Sequence, residues 1–229
     1  MAETKHAVPH TESQVIVDRA KDFWGRYNRP VMTAAIAIIV LCAGYLGYKY
    51  FIKEPNEKKA TEAIFKAEDY YRQDSLQLAL KGDGVNYGFE KIIANYGSTK
   101  AGNLAKYYAG TIYLKLGDYA KATKYLGDFS TGAKQIQARA YKLLGDAYAE
   151  QSKNSDALSN YKKAAHEFEE DDANAAEYLF FAAYFADRVM KDQKQAVDLF
   201  KELKEKYPRT QQGLEADKYL AQLGVYSTK

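Results

Sequence analysis

Lys106-Tyr-Tyr-Ala-Gly-Thr-Ile-Tyr113, with Gly117-Asp-Tyr-Ala-Lys-Ala122 and Leu126 after it, recurs at a spacing of 35 residues. The second copy is Tyr141-Lys-Leu-Leu-Gly-Asp-Ala-Tyr148, followed by Asn154, Ala157, Tyr161 and Ala164. Gly110 falls on Gly145, Tyr113 on Tyr148 and Ala122 on Ala157. Units of about this length, built from two helices, stack into solenoids because neither helix buries its apolar face alone. The small residues have a mechanical role. Gly110 and Gly145 let the first helix of each unit approach its neighbour, Ala122 and Ala157 do the same on the second, and Tyr113 and Tyr148 fill the space between. No strand-like alternation competes, so helices are expected to run almost without interruption from Glu57 to Leu223.

Working outward, a third copy is plainest in its second half, where Ala196, Phe200 and Leu203 precede a closing Tyr207-Pro208. Its first helix, expected over Ala175–Met190, leaves two registers open. Ala182-Ala183 supplies the small pair only if the turn at Lys191-Asp192 is a single residue. On the other side, Tyr96-Gly97-Ser98-Thr99 echoes Tyr207-Pro208-Arg209-Thr210 at an offset of 111, about three repeat lengths. A worn first unit is therefore expected over 57–97, with Glu57–Leu80 as a long opening helix, a turn containing Gly82-Asp83-Gly84, and Tyr87–Asn95 as its closing helix. Clear repeats follow at about 101–132, 136–170 and 175–208. A cap helix within 210–224, centred on Gln212–Leu223, closes the apolar end.

Before the repeats lies an apolar run, Val31 to Tyr48, without a charged residue; it continues past Lys49 through Tyr50, Phe51 and Ile52. At 1.5 Å rise per residue, Val31–Ile52 reaches about 33 Å, against a bilayer core of roughly 30 Å. Trp24 and Tyr27 sit at one edge, and Tyr45, Tyr48, Tyr50 and Phe51 at the other, as interfacial aromatics do. A transmembrane helix over 30–52 is expected, after a short polar tail over 1–29. A cleaved signal peptide fits poorly, because the preceding segment is long and no A-x-A-like site follows. Lipoprotein processing at Cys42 is opposed by Leu41, where a small residue is needed. A buried core helix is the remaining alternative, disfavoured by the length of a run that is apolar on all faces. Arg19, Lys21, Arg26 and Arg29 flank one end, and Lys49, Lys53, Lys58 and Lys59 the other, so the charge bias is nearly balanced. A cytoplasmic tail with the domain outside is expected, since long domains translocate largely regardless of charge.

Composition narrows the function. Lys and Arg total 33 against 30 Asp and Glu, so no broad basic field invites nucleic acid. Cys42 is the only cysteine and lies in the apolar run, which leaves the rest without disulfides or thiolate metal sites. Gly82-Asp83-Gly84-Val-Asn-Tyr87-Gly88 has one residue too many for a dinucleotide fingerprint and no strand before it. His6 and His10 sit in the tail, and His166 has no second histidine near it, so no metal site is expected. The acidic run Glu167, Glu169, Glu170, Asp171 and Asp172 lacks the glycine turn of a calcium loop and reads as a solvated loop between units. No nucleophile–base set can be assembled, so neither catalysis nor a cofactor is expected.

The repeated residues resemble the tetratricopeptide repeat, with its small residue at the eighth position, aromatic at the eleventh and Ala at the twentieth. The implied fold is all-α: an N-terminal transmembrane helix, then a tetratricopeptide-like α-solenoid with a C-terminal cap helix. In that family the first helices line a concave groove for peptides. The positions carried over are Leu104, Tyr107, Thr111 and Leu114; then Arg139, Lys142, Asp146 and Glu150; then Tyr178, Phe181 and Phe185, or Phe180 and Tyr184 in the slipped register. The alternative is that the cap helix covers the aromatics at 178–185. Tyr107 and Thr111 replace the Lys/Asn arrangement of carboxylate-clamp repeats, which argues against an adaptor for acidic C-terminal tails. The layout as a whole is similar to the YfgM-like ancillary subunits of the bacterial SecYEG translocon. That resemblance implies a single-pass inner-membrane protein with its repeats in the periplasm, and as partners translocon subunits, a periplasmic chaperone or envelope clients. The Tyr-Pro-Arg-Thr motif at 207–210 also resembles repeats of envelope scaffolds, which would bind one folded partner. Ala43 with Gly47, and Thr33 with Ala37, are spaced for close helix packing within a membrane.

Overall fold

A computed structural model describes residues 12–226, and among them there is no strand, only an isolated bridge between Gly82 and Tyr87. His6 and His10 lie outside the described residues. The chain divides after Pro55 into two compact units.

The first unit is dominated by α1 (Glu12–Tyr48), so the segment ahead of the apolar run is helical from Glu12 onward. Pro30 lies inside α1 and has no N–H to offer the carbonyl one turn back. The Thr33 hydroxyl donates to the Arg29 carbonyl at 2.9 Å. This helix is long and apolar enough to span a membrane, and Ile36, Ile39, Leu41 and Leu46 along it are exposed. The backbone widens to a π-helix over Lys49–Lys53, where the apolar run had been expected to continue as α-helix. The Glu54 N–H bonds back to the Lys49 carbonyl, closing that wider turn.

The second unit is a succession of short helices, and from α3 onward each packs on the next along the chain. They are α2 (Glu54–Arg72), α3 (Leu76–Lys81), α4 (Phe89–Tyr96), α5 (Lys100–Lys115), α6 (Tyr119–Gly127), α7 (Lys134–Glu150), α8 (Asn154–Glu167), α9 (Asp172–Arg188), α10 (Gln193–Lys206) and α11 (Gln211–Gln222). Side-chain oxygens of Thr99, Asp118, Asp171, Asp192 and Thr210 accept backbone N–H groups at the starts of α5, α6, α9, α10 and α11. Each such cap satisfies a donor that the helix itself leaves unpaired.

The expected close approaches are present. A Cβ on Gly110 would lie 2.6 Å from Leu126 Cγ, and one on Gly145 would lie 2.5 Å from Tyr161 Cε1. Ala122 and Ala157 are fully buried. The echo between 96–99 and 207–210 has a physical basis. Thr99 and Thr210 each donate to the carbonyl of the preceding tyrosine, Tyr96 and Tyr207, and accept from Gly102 and Gly213. A Cβ on either glycine would strike that tyrosine's carbonyl oxygen. The two corners are the same joint, made once before α5 and once before α11.

One expected element is corrected. Glu57–Leu80 is not a single helix, because the chain reverses at Asp74-Ser75 between α2 and α3. Asp74 adopts a left-handed conformation, with φ 53°, and the Ser75 N–H bonds to the Tyr70 carbonyl. Equivalent turns carry Gly117, Ser152 and Lys191 at positive φ, and Asp118 and Lys153 bond back to the Tyr113 and Tyr148 carbonyls. The worn unit is thus α2 followed by α3 and α4, separated by the loop at 82–88. That loop is knotted around Asp83, whose carboxylate accepts from Tyr70, from the Val85 and Asn86 N–H groups, and from the Asn86 amide. Those bonds hold its carboxyl far below the usual range.

Candidate functional site

The residues with recognition chemistry gather on α5, α7 and α9. A cavity of about 440 Å3 is lined by Leu114, Tyr119, Lys142, Asp146, Ala149, Glu150, Tyr161, Phe181 and Phe185. A volume of that order is typical of ligand clefts. Of the groove positions singled out on α7 and α9, five meet here, namely Lys142, Asp146, Glu150, Phe181 and Phe185, with Leu114 of α5 beside them.

Helical spacing builds the floor. Lys142, Asp146 and Glu150 are four apart on one face of α7. The Lys142 ammonium donates to Asp146 Oδ2 at 2.8 Å, and the Tyr161 hydroxyl donates to Asp146 Oδ1 at 3.1 Å. Lys142 also lies 4.9 Å from the Phe181 ring centroid, within cation–π range. Burial pushes the Asp146 carboxyl above its ordinary value, although Lys142 and Tyr161 both oppose the rise. Desolvation and the neighbouring Asp146 likewise push the Tyr161 hydroxyl up strongly. Glu150 accepts from the Tyr119 hydroxyl, which raises that tyrosine. Phe181 and Phe185 pack edge-on to Tyr161 at 4.8 and 5.2 Å, so one wall of the cavity is aromatic.

The other end of the row differs. Arg139, exposed and one turn before Lys142, sits close enough to Tyr107 and Tyr178 for its charge to act on both hydroxyls. Burial is the larger influence on each and raises them. Tyr107 is half-buried against Tyr108 and Phe129. Leu104 is half-buried in the apolar cluster around Phe89 and Ile112 and takes no part in the cavity. Thr111 is buried, and its hydroxyl donates to the Tyr107 carbonyl at 2.8 Å. Neither residue lines this cavity, contrary to expectation.

The structure resolves the open register on α9. Phe181 and Phe185 face the cavity, whereas Phe180 and Tyr184 pack against Tyr219 of α11 at 5.1 and 6.3 Å. The C-terminal helix therefore packs on Phe180 through Tyr219, while Tyr184 and, on the cavity side, Phe181 stay partly exposed. Tyr119, Ala149 and Tyr161 had not been assigned to the groove. Tyr161 was traceable only through its alignment with Leu126, where a hydroxyl replaces an aliphatic end.

Away from the groove, ligand atoms of His166, Glu169 and Glu202 lie within 4.8 Å of one another. The Lys206 ammonium contacts Glu169 at 2.8 Å and Glu202 at 3.1 Å, so the protein's own cation holds this cluster. The acidic run is shared among neighbours in the same way: Glu170 pairs with Lys134 at 3.2 Å, and Asp171 caps α9. In α1, Ala43 is exposed, and nothing lies within 4 Å of where a Cβ on Gly47 would be.

No known protein-family profile matches the sequence, and no curated protein matches it either.

Proposed function

We propose that this chain is a membrane-anchored, non-enzymatic interaction module, a tetratricopeptide-like solenoid whose groove binds segments of other proteins. The observation that carries this is the cavity at Lys142, Asp146, Glu150, Phe181 and Phe185. Three successive helical hairpins contribute to one wall that mixes charge with aromatic surface. The period of 35, the matched glycine contacts and the repeated left-handed turns support the solenoid.

The apolar α1 supports anchoring, with the C-terminal domain in the periplasm of a bacterial inner membrane. There the module assists envelope proteins as an accessory of the Sec translocon or its chaperones. Tethering raises its effective concentration where chains emerge. The similarity of layout to the YfgM-like subunits supports this placement.

Photo-crosslinking in native membranes tests the reading, with the probe at Tyr107 and separately at Phe181, followed by mass spectrometry. Adducts to translocon subunits, periplasmic chaperones or nascent envelope proteins are expected. A single stoichiometric folded partner would replace this reading with an envelope scaffold. Cytosolic adducts would reverse the topology.

A further inference from the structure

We infer that the cavity between α7 and α9 is a subsite for a cationic side chain of a bound extended peptide, and that Lys142 occupies it in the free protein. The inference rests on the groove being a peptide site and specifies what that site selects. Its basis is the charge balance of the pocket. Two carboxylates, Asp146 and Glu150, stand one turn apart on α7, and a single ammonium, Lys142, faces them. The site is net negative with its own lysine in place.

The groups around that ammonium are those that recognise one. Asp146 supplies a charge-assisted hydrogen bond at 2.8 Å, and the Phe181 ring presents its face at 4.9 Å. Tyr161 holds the carboxylate in position by donating to its other oxygen. Tyr119 does the same for Glu150. Lys142 is tethered to α7 and reaches Asp146 from within the same helix, so Glu150 has no ion-pair partner among the described residues. A second ammonium entering over Phe181 would find one carboxylate unpaired and another shared. The apolar remainder of the pocket, Leu114, Ala149 and Phe185, would take the aliphatic stem of a lysine or arginine.

The position equivalent to Lys142 in the preceding hairpin is Tyr107, and Thr111 stands where Asp146 does. That pair is neutral, so the subsite belongs to one place in the array and is not a property of the repeat.

The test uses the full-length protein in lipid nanodiscs and fluorescence anisotropy. The probes are a fluorescein-labelled extended peptide with one central lysine among valines and the same peptide with norleucine instead. The lysine peptide is expected to bind more tightly. Glu150→Gln should weaken it about three- to fivefold and leave the norleucine peptide unchanged, in line with exposed ion pairs. Lys142→Met should strengthen the lysine peptide by a similar factor, because the internal competitor is gone. Arg139→Gln, at the far end of the row, should leave the preference for lysine intact. A structural role for Lys142 predicts weaker binding of both peptides in Lys142→Met, and that result overturns the inference. Equal binding of the two peptides to the wild type removes the cationic subsite while leaving the peptide groove. Failure of both to bind removes the groove itself and the subsite with it.

Discussion

The hairpin α5–α6 and the hairpin α7–α8 share a frame and differ in what they place on it. In both, a glycine on the first helix lets a large side chain of the second come within contact, Leu126 at Gly110 and Tyr161 at Gly145. Each pair of helices turns through a left-handed residue, Gly117 in one and Ser152 in the other. The difference lies in three aligned positions. Tyr107, Thr111 and Leu126 form a closed set, with the Thr111 hydroxyl bonded to its own helix. Lys142, Asp146 and Tyr161 form a hydrogen-bonded ion pair beside a cavity. Backbone approach is set by the small residues, and the chemistry of the groove is set by residues the frame leaves free. Two hairpins can therefore keep the same packing while one of them lines a charged cavity.

The shared frame is broken most severely at its glycines. Gly110→Ala and Gly145→Ala should each cost about 2–3 kcal/mol, since the new methyl meets a packed side chain at under 3 Å. Urea denaturation of the full-length protein in nanodiscs measures this, and a loss in only one variant would mean the two hairpins do not share a frame. The differing positions respond next. Tyr161→Leu converts the second hairpin to the residue of the first and removes the hydroxyl donor to Asp146. A loss of about 1–2 kcal/mol is expected, from the hydrogen bond and the smaller side chain.

A smaller effect comes from exchanging the turn residues. Ser152→Gly should stabilise by about 0.5–1 kcal/mol and Gly117→Ser should destabilise by a similar amount, because only glycine adopts this conformation without strain. Thermal unfolding monitored by circular dichroism reads both. The smallest expected effect is one of sign. The Asp118 carboxyl, capping α6, is lowered by its bonds to Lys121, so its stabilisation is present above the unfolded value and lost as pH falls. The Asp146 carboxyl is raised by burial, so its contribution is present at low pH and lost as pH rises through its folded value. Between about pH 5 and pH 3, the deficit of Asp118→Asn relative to wild type should shrink and that of Asp146→Asn should grow. Matching slopes would contradict the contrast between an exposed cap and a desolvated groove acid.

The sequence is most informative where geometry forces residue type. Gly110, Gly145 and the Tyr-x-x-Thr corners are legible because a backbone or side chain fills the space a Cβ would need. The break at Asp74-Ser75 is not, because the left-handed residue there is neither glycine nor asparagine and no proline follows. Phe180 and Phe181 are adjacent aromatics, and periodicity alone does not separate them. Tyr219 on α11 decides, by packing against Phe180. The groove was half legible: charged Lys142 and Asp146 stand out on a helix face, whereas Thr111 resembles an exposed polar residue until its hydroxyl is seen bonded at home. The π-helix at Lys49–Lys53 has no local signature in its aromatic and lysine residues.

The most direct test of a working face on α5, α7 and α9 is hydrogen exchange of the full-length protein in nanodiscs, with and without an unfolded envelope protein. Protection is expected in α7 around Lys142–Glu150 and in α9 around Phe181, with α10 and the face of α8 away from Tyr161 unchanged. Protection confined to α8 and α10, or to α1 alone, would contradict the account and move the binding surface off the groove.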